Sequence, residues 1–398
     1  MSNVIDLQAW KGRVQHNGNG AIKKNLTNLM LYLQNVHGLG ENIRWNELTH
    51  EAEWNDDRIE EHHLIDIRLH LEAQGFEPPI RDVPIAVARH ARDNPYHPIR
   101  DYLDGLEWDG KPRLNSWLQD CLGASDTAYV GLVGAKTLIA AVARIYEPGC
   151  KVDTMLILEG PQGIKKSSAI AALFSEEWST ESISLFDAHN KMVMSMMGSW
   201  VVELAEFTAI TRRDPGAVKG LLSISKDKVV LPYAKTASEH ARQCIFFGTI
   251  NPGDTGYLTD ATGNRRFWPV EVANANIEKL STQRDQIWAE AVHRYKAKEV
   301  WWFETHEHEA IAQSEAAKRE QIDPWVDLLA VEISRQGKAR FSLVEAAAMV
   351  GLPRDRTDQK SSARIAASLK RLGYVSKPVR LPAEDGKRRS VRMYESKS

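Results

Sequence analysis

TMLILEGPQGIKKSSAIAALF, residues 154–174, decides the fold class. Met155–Leu158 is an apolar run with the length of a buried strand. A glycine-containing loop follows. Lys166 and Ser167 then open a segment with Ile170, Leu173 and Phe174 on one helical face. Strand, loop and helix in this order form a phosphate-binding loop, because backbone N–H groups and the helix N-terminus converge on an anion. On this reading Gly160, Pro161, Gln162, Gly163, Ile164, Lys165, Lys166, Ser167 and Ser168 surround a nucleotide. Lys166 reaches the β- and γ-phosphates and Ser167 holds Mg²⁺, so ATP and Mg²⁺ are the expected cofactors. One position departs from the usual pattern. Lys165 stands where such loops carry glycine; its side chain either crowds the loop at a φ that glycine adopts more readily or adds a positive charge that helps hold phosphate.

Three later segments extend the site. GSWVVELAEF (198–207) is an apolar strand ending in Glu203, with Glu206 three residues on. An acid at the end of the strand beside the phosphate-loop strand steadies Mg²⁺, and a second orients the attacking water. Glu203 is assigned to the metal and Glu206 to the water, with the roles exchangeable. RQCIFFGTIN (242–251) is a strand ending in Thr249 and Asn251, where a polar side chain senses the γ-phosphate. TGNRRFWPV (262–270) supplies Arg265 and Arg266 before an aromatic strand. One of them is the candidate arginine that completes a neighbouring subunit's site, and a structural ion pair is the other reading.

Between these segments, Asp214 and Pro215 open a helix, and a basic stretch follows with Lys226, Lys228 and Lys235. Val229–Leu231 and the strand from Arg242 are expected to form a hairpin with its tip near Thr236–Glu239. Such a hairpin can track a nucleic-acid backbone. Its bland reading is a solvated hairpin.

The 398 residues suggest two or three domains, and 43% hydrophobic with 26% charged residues is ordinary for a soluble globular chain. The net charge of -2 hides an asymmetry: Arg335–Ser398 carries 16 Lys+Arg and 6 Asp+Glu, a net of +10. That tail suits a phosphate-rich partner. Ile365, Leu369 and Leu372 line a helix there that Gly373 ends. An extended stretch, a turn at Glu384–Asp385–Gly386 and the strand SVRMY follow, so a winged-helix-like module is expected. Cys121, Cys150 and Cys244 are three and widely spaced, which excludes a disulfide framework and a cysteine zinc site. No stretch approaches the roughly 20 apolar residues of a membrane span, and the start has no signal-peptide pattern. A reducing cytoplasm, of a bacterium or a phage-infected cell, is the expected compartment. Residues 1–110 read as helical with a short hairpin or loop at NELTHEAE, and 97–114 as an ordered linker.

YLDGLEWDGKPRL, LEGPQGIKKSS, WVVELAE, VKGLLSISKDKVVLPY, FFGTIN and TGNRRFWPV together resemble the virulence-associated E family, related to superfamily 3 helicases. The resemblance covers roughly Tyr102–Trp302. It implies an α/β, AAA+-like P-loop NTPase core of the superfamily 3 type, a hexameric ring, and ATP-driven action on single-stranded or forked DNA in mobile-element replication. Residues 1–110 show no acidic primase constellation, so a primase is expected on a separate chain. The expected organisation is a helical region (1–110), the ATPase core (111–310) and a basic winged-helix-like module (324–398). Two rivals remain: a DNA-binding replication initiator or regulator with a vestigial nucleotide site, and a small-molecule phosphotransferase.

Overall fold

The computed structural model describes residues 9–398 apart from 182, 186, 206, 208–214, 231–235, 252–255, 259–263, 321–322, 354–355, 383–387 and 397–398. The chain divides into two units. One runs to Lys318, and the other takes Arg319–Ser398 together with Thr255–Thr259.

The first unit begins with α1 (Leu26–Asn35) and a hairpin of β1 (Ile43–Asn46) and β2 (Glu51–Trp54), followed by β3 (Asp57–Arg58). Then come α2 (Glu61–Ala73), α3 (Val83–Asp93), β4 (Pro95–Tyr96) and α4 (Pro98–Asp104). The hairpin is as expected, but it belongs to a four-stranded sheet of order β3-β2-β1-β4. The expected linker 97–114 is corrected as well. It contains α4, which buries Ile99 and Leu103 in the same core as the central sheet.

Next stand α5 (Trp117–Leu122) and α6 (Ala128–Tyr146). Helix α6 has the length and apolarity of a membrane span, so one stretch does approach that limit. Yet nearly all of it is buried inside the protein. Its apolarity is that of a helix surrounded on all sides by core.

The central sheet uses β5 (Met155–Glu159), β6 (Ser179–Thr180), β7 (Val201–Leu204), β10 (Ile245–Ile250) and β11 (Phe267–Glu271). Along the chain these alternate with α7 (Lys166–Phe174), α8 (His189–Met196) and α9 (Pro215–Ser223). A separate hairpin of β8 (Lys226–Val229) and β9 (Ser238–Ala241) precedes β10, and α10 (Ile277–Lys296) and α11 (His306–Ala317) close the unit. The sheet order is β11-β5-β10-β7-β6 with every neighbour parallel. Strands β5 and β10 are buried throughout, as continuous apolar strands in a parallel sheet must be. The expectation that Glu203 lies on the strand beside the loop strand is corrected, since β10 runs between β5 and β7.

Helix α7 is fixed from below by rings. Phe174 packs edge-on to Trp200, Phe247 and Trp288 at 5.1, 5.5 and 5.0 Å. The indole N–H groups of Trp200 and Trp288 are satisfied: Trp200 donates to the Ala141 carbonyl and Trp288 to that of Leu173. Such buried aromatics carry area and geometry together, so the start of α7 has a firm base.

The second unit is α12 (Pro324–Gln336), β12 (Arg340–Ser342), α13 (Leu343–Met349), α14 (Gln359–Arg371), β13 (Tyr374–Pro382) and β14 (Arg388–Ser396). Its antiparallel sheet has the order β12-β14-β13. Leu329, Phe341, Ala346, Ile365 and Leu369 form a core of its own. The expected turn at 384–386 lies outside the described residues.

Candidate nucleotide site

The site is built at the C-terminal ends of the parallel strands, where α/β sheets present loops and helix N-termini to ligands. From β5 the chain enters the loop at Gly160. A Cβ there would lie 2.4 Å from the Val272 carbonyl oxygen, so only glycine lets the loop pass. Gly163 takes φ +87° and Lys165 φ +64°, ψ +40°. Lys165 thus adopts the left-handed conformation that a glycine would take freely, at a cost of about 1 kcal/mol or more. The crowding expected at this position is a backbone effect.

Lys166 and Ser167 start α7. Lys166 is 8% exposed, and its Nζ donates to the carbonyls of Gly160 (2.6 Å) and Pro161 (2.9 Å) and to Asn251 Oδ1 (3.0 Å). The expected lysine and the expected strand-end asparagine therefore meet. Burial pulls the Lys166 ammonium below its ordinary range, and the Glu203 carboxylate opposes that shift.

Glu203 is 1% exposed. Its Oε1 accepts from Ser167 Oγ at 2.8 Å and from Thr249 Oγ1 at 2.5 Å, while Oε2 has no hydrogen-bond partner among the described residues. Burial raises the carboxyl above its usual range. The two hydroxyl donors act against that, and the negative charge of Glu181 adds to it. A buried carboxylate with one empty oxygen is costly unless a cation or a proton reaches it. The sequence marks Thr249 only as a strand-end residue, and its bond to Glu203 follows from β10 lying beside β7.

Other expected residues fall elsewhere. Glu206 and Lys235 lie outside the described residues, as does Asp214. Arg265 and Arg266 precede β11, whose Phe267 pairs with Met155 at the start of β5. They therefore stand at the opposite end of the strands from Lys166, roughly 16 Å away for a five-residue strand. Arg266 Nε lies 3.7 Å from the Asp153 carboxylate, while Arg265 is exposed. The hairpin is also corrected. Lys226–Val229 pairs with Ser238–Ala241, not with the strand from Arg242, so Ser238 and Glu239 lie in the second strand. Lys226 and Lys228 face solvent and Asp227 faces inward. Arg242 clamps Asp227 through two bonds of 2.9 and 2.6 Å, both side chains being buried.

A family model for the virulence-associated protein E-like domain matches residues 103–321, more than half of the chain. The chain belongs to the virulence-associated E family. The family match spans the loop, Glu203, Asn251 and the arginine pair, and ends before α12. Two solved structures of the NrS-1 C-terminal region in its apo A form are similar to this family member. One is 13% identical with a TM-score of 0.46 and the other 15% identical with a TM-score of 0.47, each over 88% of this chain and 95% of that one. No curated protein matches the chain.

Proposed function

We propose that this virulence-associated E protein is an ATP hydrolase that acts on DNA in the replication of a phage or other mobile element. The observation that carries the reading is the junction of Lys166, Ser167 and Glu203, with the free Oε2 of a buried carboxylate beside a hydroxyl at a helix N-terminus. We read the first unit's sheet as a P-loop NTPase core, AAA+-like and of the superfamily 3 helicase type. The oxygen donors Ser167 and Glu203 suit Mg²⁺, which on binding supplies positive charge to the β- and γ-phosphates. Phosphate oxygens compete with the Gly160 and Pro161 carbonyls for the Lys166 ammonium. Asn251 holds Lys166 in reach of them. Glu206 is the candidate to orient water.

The arginine pair, at the far end of the strands from its own loop, supports a role on a neighbour's nucleotide in a ring, which we take to be hexameric. The Asp153 ion pair of Arg266 favours Arg265 for that role. Strand β10 links the two ends of the machine. Its C-terminal end carries Thr249 and leads to Asn251, and its N-terminal end follows the basic hairpin with Lys226 and Lys228. Hydrolysis is proposed to shift that hairpin and the DNA on it. The element order of the second unit supports a winged-helix DNA-binding module, with α14 as the groove helix and β13–β14 as the wing. Any primase is expected to be a separate partner chain.

The strained Lys165 backbone favours a second reading, an initiator or regulator with a silent nucleotide site. ATP titration by calorimetry, with and without Mg²⁺, separates the two. Wild type binds ATP more tightly with Mg²⁺, Ser167→Ala loses that Mg²⁺ dependence, and Lys166→Ala loses binding. Lys166→Ala binding ATP as wild type does would overturn the assignment. Lys165→Gly binding ATP while wild type does not would establish the silent-site reading.

A further inference from the structure

We propose that Glu181 is a second carboxylate of this site, standing on the water shell of the divalent cation beside Glu203. The inference rests on the nucleotide-site reading above.

Strand β6 pairs in parallel with β7, Ser179 opposite Val201 and Thr180 opposite Val202. One further step along that register brings Glu181 opposite Glu203, and residues in register in a parallel pair share a face of the sheet. Glu181 is exposed where Glu203 is buried, so the two carboxylates occupy the mouth and the floor of one place at the strand ends. Burial is the main cause of the raised Glu203 carboxyl, and the negative charge of Glu181 adds to it.

Among the described residues Glu181 makes no ion pair, and Lys166, the buried cation that acts on Glu203, is held by two carbonyls and an amide oxygen. Two carboxylates converging without a cation repel, and a divalent ion between them reverses the sign. The unpartnered Oε2 of Glu203 is the second, independent sign that a cation belongs there. Glu203 and Ser167 bind it from the floor, and Glu181 orients its outer waters.

Mn²⁺ serves as the probe. Its binding to the full chain is measured by electron paramagnetic resonance with saturating ADP, for wild type, Glu181→Gln, Glu181→Asp and Glu206→Gln. The expected result is Mn²⁺ affinity about tenfold weaker in Glu181→Gln, the scale of lost outer-shell partners. Glu181→Asp retains part of the affinity, and ADP affinity without metal stays unchanged. Equal Mn²⁺ affinity in wild type and Glu181→Gln would overturn the inference and leave the nucleotide site standing, as would a loss confined to Glu206→Gln. A wild type with no ADP-dependent Mn²⁺ binding would overturn the inference and the underlying reading together.

Discussion

Glu203 is held in a state that costs stability, buried with its carboxyl pushed above the usual range. Its raised pKa means the folded chain retains a proton that the unfolded chain would release. The stability tied to that proton is complete below the ordinary carboxylate range and is lost as pH rises through the raised value. Glu203→Gln removes this dependence. Without nucleotide, the variant is expected to melt above wild type at pH 8, the difference shrinking toward pH 4, while ATP turnover is lost. A variant melting below wild type at pH 8 would contradict the account. At this scale much was legible in the sequence. Lys166, Ser167 and Glu203 follow apolar strands at spacings that constrain their place. The bond from Thr249 to Glu203 was not legible, because it depends on which strands are neighbours, and strand order is not written in a local pattern.

The same limit appears among the elements. The loop strand, α7 and β7 were readable from hydrophobic runs of the right length. The insertion of β10 between β5 and β7 was not. Nor was the partner of β8: SEHA has no alternating apolar pattern, and its pairing is secured by the buried Asp227–Arg242 pair. That pair makes a prediction at the element scale. Asp227→Asn leaves the Arg242 charge buried without its carboxylate, so it should destabilise by about 3–5 kcal/mol in urea melts. ATP affinity should be kept, since the loop is at the other end of β10. Loss below about 1 kcal/mol would mean the pair does not hold the hairpin base.

For the whole molecule, the charge asymmetry was visible in the sequence but its strength was overstated by counting. Within the second unit Arg335, Lys338, Arg340, Arg364, Arg371 and Lys377 are tied to Glu332, Glu345, Glu395, Asp323 and Glu320. Among the described residues Arg356, Lys370 and Arg392 remain exposed and outside these pairs. Because this unit has its own core, residues 319–398 alone are expected to fold cooperatively. They should also bind duplex DNA with a log–log salt slope of about -2.7 or steeper, the value for three phosphate contacts. Folding without salt-dependent DNA binding would remove the module from the proposed function. The central claim, that a nucleotide site in the first unit drives work on DNA, is tested most directly by one measurement. Steady-state ATP turnover is followed with and without single-stranded DNA, wild type beside Lys166→Ala. The account predicts turnover in wild type that DNA stimulates and Lys166→Ala abolishes. Turnover in Lys166→Ala equal to wild type, or none in wild type with DNA bound, would contradict it.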